Sequence, residues 1–264
     1  MTDRADQTIA ALRSTHDYLT AVVHGLASAD LARPSGASAW DVSQVLSHLG
    51  SGAEISLAVL EGALNASGSP DADFNKSVWG RWDDKSPTER AEDFVAANEA
   101  LVSRYEGLDA QTRKELTVDL GFLPVAADVA TVAGIRLTEF AHHTWDVEVA
   151  FDHEAPLLSA ATGLLLDQAG PFLNFLGKAD ALDSRPVRIT VHITAPERTF
   201  GLEVGDSLKL TDVPDRPDAV LDAPAEWWLR LTTGRHTPAH TPRNVSLTSA
   251  SLTLDDLRRV FPGF

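Results

Sequence analysis

The chain contains no cysteine. That excludes disulfides, thiolate metal ligands and a cysteine nucleophile. Any metal must then be held by nitrogen and oxygen donors, and any thiol chemistry must use a thiol that arrives from outside. No apolar run approaches the ~18 residues a membrane span needs, although 44% of the 264 residues are hydrophobic, an ordinary fraction for a globular protein. Positive charge is scarce: 22 Lys and Arg stand against 38 Asp and Glu, a net charge of −16. A surface of that sign repels phosphate, which argues against nucleic acid and anionic membranes as partners. The N-terminal stretch is polar and carries no signal-peptide pattern, so a cytoplasmic protein is expected. Internal repeats, Gly-rich phosphate loops and low-complexity tracts are also lacking. Oligomeric state is not readable.

What is present is helical periodicity, then a change of texture. Ile9, Leu12, Leu19, Val23 and Leu26 recur at helical spacing from about Asp6 to Leu26, with His16 on the same stripe, as a core histidine or at its solvent edge. Ser38-Ala39-Trp40-Asp41 matches a capping box and predicts a helix running to about Leu64, its buried face marked by Val42, Val45, Leu46 and Leu49. Residues Ala66 to Lys85 are rich in Gly, Ser, Pro, Asp and Asn and predict a loop. In it Trp79, Arg81 and Trp82 either line a substrate mouth or pin the loop by packing. Ser86-Pro87-Thr88-Glu89 opens a third helix that ends at Gly107. After a partly extended link, Leu116 to Phe122, a fourth helix is expected from about Pro124 to Phe151, and a fifth from Leu157 to Leu176, kinked at Pro171. These make an α bundle over residues 1–180.

Beyond Lys178, Asp180 to Pro186 reads as a linker. Val187, Ile189, Val191 and Ile193 then alternate with polar residues, the period of a half-buried strand. Phe200, Leu202 and Val204, then Leu208 and Leu210 after a Gly205-Asp206 turn, Ala219 to Leu221, and Val245 to Ser249 predict further strands. Pro224 to Thr232, stopped by Gly234, and Leu254 to Phe261 predict helices. Residues 181–264 are therefore expected to form a small α+β domain.

The chemistry concentrates late in the fourth helix, at Glu139-Phe140-Ala141-His142-His143-Thr144-Trp145-Asp146. Glu139 and His143 are four residues apart and share one face. Val132 and Ile135 extend that face, so it is expected to point into a core, where a carboxylate is costly unless paired or bound to a cation. His142 is rotated from His143 by ~100°, so His143 is the partner of Glu139. His48, beside the buried face of the second helix, is either a hydrogen-bonded core histidine or the second imidazole of a metal site. Two histidines and a glutamate are a recurrent catalytic zinc set that leaves positions open for water or substrate. Asp146 is either the hydrogen-bond partner of a ligand imidazole or a surface acid near the helix end.

These stretches resemble a known family. Ser38 to Leu49 resembles the segment W-t-v-x-x-v-l-x-H-L of the mycothiol-dependent maleylpyruvate isomerases, which belong to the DinB-like metal-binding four-helix bundles. Glu139 to Asp146 resembles their second signature, E-x-x-x-H-x-W-D. Ala219 to Arg235, with Ala225-Glu226-Trp227-Trp228-Leu229 and Thr233-Gly234-Arg235, is similar to their small domain, itself similar to sterol-carrier proteins. The resemblance implies that His48, Glu139 and His143 are zinc ligands and that mycothiol is the thiol. Zinc would hold its sulfur as thiolate for addition to an activated double bond, giving cis–trans isomerisation, or for transfer to an electrophile. Arg235 matches the family's G-R and is either a cation for a substrate carboxylate or a residue that holds the small domain together; Arg81 is a weaker candidate of the first kind. Nickel, iron or manganese fit similar ligands.

The chain is thus expected to be a metal-dependent enzyme using a low-molecular-weight thiol, an isomerase or S-transferase acting on a small molecule. Two alternatives stand beside it. One is a thiol-independent metal hydrolase using bound hydroxide. The other is a non-enzymatic binding or stress protein whose small domain holds an apolar ligand near Val187, Ile189, Phe200 and Leu202.

Overall fold

The computed structural model describes residues 3–182 and 186–263. The chain divides into two compact units, Met1–Asp152 and His153–Phe264. The expected linker from Asp180 to Pro186 falls partly outside the described residues.

The first unit is a helical bundle built on α1 (Arg4–His24), α2 (Val42–Leu64), α4 (Pro87–Glu106) and α6 (Val129–Glu148). Helix α2 packs against α4 and α6, and α1 packs against α4 and α6. Their stripes meet in a core that includes Leu12, Leu19, Leu46, Leu49, Phe94, Leu101, Leu137, Phe140 and Trp145, all essentially inaccessible. His16 is buried in that core, its Nε2 3.1 Å from Glu99 Oε2. Between α2 and α4 lies α3 (Ala72–Asp83), and after α4 come α5 (Ala110–Glu115) and a two-stranded antiparallel ribbon, β1 (Thr117–Val118) with β2 (Ala127–Asp128).

Three local expectations are corrected. The segment read as a loop contains α3. Asp71 caps it by accepting the Phe74 N–H, and Val78 and Trp82, one turn apart, bury its inner face on α2. Gly80 and the polar outer face hid that period. Helix α2 begins at Val42, with Asp41 rather than Ser38 as its cap. The Asp41 carboxylate accepts the Gln44 N–H while Gln44 returns a side-chain bond to the Asp41 N–H. The fourth long helix starts at Val129, because Ala127 and Asp128 are held in the ribbon and Asp128 caps the helix.

The second unit begins with α7 (Ser159–Ala169), a 3₁₀ turn at Gly170–Phe172 and α8 (Leu173–Leu176), so Pro171 interrupts the expected fifth helix. Helix α7 packs on α9 (Ala225–Thr232) of this unit, which draws residues 153–180 to the sheet's side of the division. The sheet comprises β3 (Val187–Thr194), β4 (Arg198–Val204), β5 (Leu208–Thr211), β6 (Ala219–Pro224) and β7 (Ser246–Ser249), in the order β5-β4-β3-β6-β7. Strands β3 and β6 pair in parallel, and the other pairs are antiparallel. Val187, Ile189, Val191 and Ile193 are buried while Arg188 and His192 are exposed, as the alternation required. Helix α10 (Leu254–Val260) closes the chain. No described helix is long and apolar enough to cross a membrane.

The cap of α2 carries the helix on which His48 stands. Asp41→Ala is expected to lower the stability of the protein by about 0.5–2 kcal/mol in urea denaturation, with Ser38→Ala close to neutral. A larger loss in Ser38→Ala would contradict the assignment.

Candidate metal centre

The site lies where α2 meets α6. His48 Nε2 stands 3.2 Å from Glu139 Oε2, and His143 Nε2 stands 3.6 Å from the same oxygen. One donor atom from each residue lies within 4.8 Å of the others. Zinc bonds of ~2.0–2.2 Å in tetrahedral array separate neighbouring donors by about 3.4 Å, so the two observed separations bracket what one ion requires. The donor set, two imidazole nitrogens and a carboxylate oxygen, fits a divalent cation with positions left for water or substrate.

The face carrying Glu139 does not point into a closed core as expected. The Glu139 side chain is 50% exposed and that of His48 37%, whereas that of His143 is 12% exposed. The cluster is therefore reachable from solvent, which a site that must admit a ligand needs and a buried structural ion pair does not. Burial pushes the Glu139 carboxyl upward, but hydrogen bonds and charge from His143 and His48 outweigh it and hold it well below the usual carboxylate range.

Behind the cluster, Asp146 is fully buried and its Oδ2 lies 2.8 Å from His143 Nδ1. A carboxylate only accepts, so Nδ1 carries a proton and Nε2 is the nitrogen turned toward Glu139 and His48, the one left to give up its proton when it ligates a cation. The sequence left Asp146 open between this role and a surface acid; the geometry selects the hydrogen-bond partner. His142 turns away, with Nδ1 2.7 Å from the Thr138 carbonyl oxygen.

Trp40 is the residue that sequence reasoning missed. Its ring lies 5.1 Å from the His48 ring and is stacked 5.9 Å from that of His143, while the two imidazoles meet edge-on at 4.6 Å. The preceding loop is tied down to place it. Ser35 Oγ donates to the Trp40 carbonyl, and the Gly36 N–H donates to the Asp146 carbonyl at 2.8 Å. A Cβ at Gly36 would meet Asp146, Trp145 and Val149 at 2.8 Å, so only glycine allows this approach. The signal was in the sequence, a tryptophan eight residues before the histidine that stands both in the capping pattern and at the W of the family segment, but no role at the site was drawn from it.

A cleft of about 330 Å³ opens beside His48, lined by Trp40, Gln44, Ser51, Trp79 and Arg90 among others. Both readings of the tryptophans apply: Trp82 is buried by packing and also borders the cleft, and the half-exposed Trp79 lines it. Arg81 lies on the exposed side of α3, paired with Glu54, which also accepts the Trp82 indole N–H. Arg235 belongs to the second unit, where its Nη1 donates to the Thr233 carbonyl. In that unit a separate apolar cavity of about 450 Å³ is lined by Leu166, Phe200, Leu210 and Trp228; of the residues suggested for such a pocket only Phe200 lines it, while Val187, Ile189 and Leu202 are core.

Residues 12–148 match the family described as the mycothiol maleylpyruvate isomerase N-terminal domain. No curated protein matches the chain in sequence. Similar solved structures include the crystal structure of the mycothiol-dependent maleylpyruvate isomerase and that of a histidine-to-alanine mutant. Each has a TM-score of 0.65 at 9% identity, covering 96% of this chain and 98% of the other. At that identity the likeness shows the fold.

Because the folded Glu139 titrates below its unfolded value, its contribution to stability is fully present above the unfolded carboxylate pKa of about 4.3 and is lost as pH falls through the folded pKa. In metal-free protein, the stability difference between wild type and Glu139→Gln is expected to shrink on acidification below about pH 4.3. A difference that grew on acidification, measured by urea denaturation, would contradict the geometry.

Proposed function

The chain belongs to the family carrying the mycothiol maleylpyruvate isomerase N-terminal domain, and from that membership we propose a metal-dependent enzyme that uses a small external thiol, mycothiol, to isomerise a maleylpyruvate-like substrate. The observation that carries this reading is the convergence of His48, Glu139 and His143 on one point that solvent can reach. In it these three residues hold the metal, zinc in the first instance. A bound divalent cation keeps a thiol in its nucleophilic thiolate form near neutral pH.

This chain's own residues supply the rest. Asp146 fixes the His143 tautomer so that Nε2 is free to ligate. Trp40 braces both imidazole rings in register. Because the chain has no cysteine, no internal thiol competes for the metal. The cleft beside His48, with Trp79 and Arg90 on its walls, has room for a small substrate. Arg81 and Arg235 are the two cations the sequence offers for a substrate carboxylate; the role of each reads out as a raised KM on replacement by glutamine. Transfer of the thiol to an electrophile uses the same residues and is distinguished by its product.

His48→Ala and His143→Ala are each expected to abolish stoichiometric zinc binding in metal analysis of the purified protein, and Asp146→Asn to weaken it about 10–100-fold while the fold persists. Full zinc occupancy in both histidine variants would overturn the ligand assignment. Turnover of esters or amides at equal rates with and without mycothiol would replace the thiol reading with hydrolysis.

A further inference from the structure

The bundle buries a cation that touches no carboxylate among the described residues. Arg136, on α6, is 6% exposed. Its Nη2 donates to the Leu49 carbonyl at 2.7 Å and to Asn98 Oδ1 at 2.8 Å, tying α6 to α2 and α4 through two neutral acceptors. Burial lowers its pKa to about 10, so it remains charged at neutral pH. A neutral amide could make the same two bonds without the cost of a desolvated charge. The Phe140 ring, its centroid 5.6 Å from the guanidinium carbon, offsets part of that cost, but neither it nor the two hydrogen bonds uses Nη1.

Its remaining nitrogen faces a gap. Arg136 Nε is sealed from solvent without a hydrogen-bond partner, whereas Nη1 donates to no described group yet keeps access to solvent. A Cβ on Gly52 would stand 2.9 Å from Nη1, with only Arg136 atoms within 4 Å of it. Glycine is unfavourable inside a helix, and Gly52 sits in the middle of α2. What it leaves open is the approach to this nitrogen. Gly52 follows His48 by one turn of α2, and Arg136 precedes Glu139 by about one turn of α6. Those pairs face each other in register, so the guanidinium lies about 5.4 Å along the bundle from the metal-type cluster. The two are close enough for the Glu139 charge to act on Arg136.

We propose that Arg136 Nη1, uncovered by Gly52, is the anion-recognition point of the site, taking a carboxylate oxygen of an anionic substrate whose reacting end lies at the His48–Glu139–His143 cluster. The second half of that statement rests on the proposed function; the first does not. A protein of net charge −16 repels small anions at long range, and a fixed cation beside the cluster overcomes that locally. Arg81 is less suited, because Glu54 already neutralises it. The sequence hid Arg136 inside an apolar helix, where only its charge marked it.

The test is calorimetric titration of maleate, a small cis-dicarboxylate, into zinc-loaded and zinc-free protein. Arg136→Gln is expected to weaken maleate binding roughly 10–100-fold, the loss of one charged hydrogen bond. Gly52→Ala keeps the charge but places a methyl 2.9 Å from Nη1, so the guanidinium must give by a few tenths of an ångström; it is expected to weaken maleate without changing zinc affinity. Since alanine favours the helix, Gly52→Ala decides the matter even if Arg136→Gln does not fold. Wild-type affinity for maleate in Gly52→Ala, or no maleate binding by the wild type in either form, would overturn the proposal. Arginine-dependent maleate binding in a protein that takes up no zinc would support the anion point and sink the metal assignment instead.

Discussion

Two imidazole nitrogens from different helices face one carboxylate oxygen, and the rest of the first unit is arranged around keeping them there. Without a cation between them, such a cluster holds together only in part, through hydrogen bonds whose strength depends on protonation. The cost of gathering these groups beside a cleft is met by packing elsewhere: α2 and α6 share a close-packed interior of Leu46, Leu49, Leu137 and Phe140, none of them measurably exposed. Register follows from that packing. A slip of one turn between the two helices would separate His48 from Glu139 and leave His143 facing nothing.

Each supporting contact restricts one freedom of the three donors. The Asp146 carboxylate sets the His143 tautomer and ring direction, and Trp40 limits rotation of both rings. The loop that delivers Trp40 is held to the end of α6 by a backbone bond from Gly36 to Asp146. Thus the residue that orients one donor from behind also anchors, through its main chain, the aromatic ring that covers two donors from the front. Rigid support of this kind lets a site with half-exposed donors keep its geometry.

Much of this was legible in the sequence. The four long helices announced themselves by apolar period, the sheet strands by alternation, and Ser86 and Gly107 bounded α4 correctly. Glu139 and His143 were paired by their spacing of four, and the match to two family signatures brought in His48, a contact across 91 residues that periodicity alone does not supply. What failed was local. Helix α3 is amphipathic over only three turns, and its two buried residues, Val78 and Trp82, were outnumbered by Gly, Asp and Ser. The cap at Asp41 uses Gln44, and it competed with an equally good pattern three residues earlier. Trp40 and Arg136 were invisible as site residues because their importance depends on which helix faces which. The structure groups residues 153–180 with the sheet because α7 packs on α9, and sequence period reports a buried face without saying what covers it.

The central claim is that one divalent ion is shared by two histidines and one glutamate, with room left for a sulfur. X-ray absorption at the zinc edge of the loaded protein tests it directly. The account predicts a first shell of nitrogen and oxygen at ~2.0–2.2 Å, with imidazole scattering from two rings and no sulfur, then a new sulfur shell at ~2.3 Å when mycothiol is added. A shell with fewer than two imidazoles, or one left unchanged by the thiol, would contradict it.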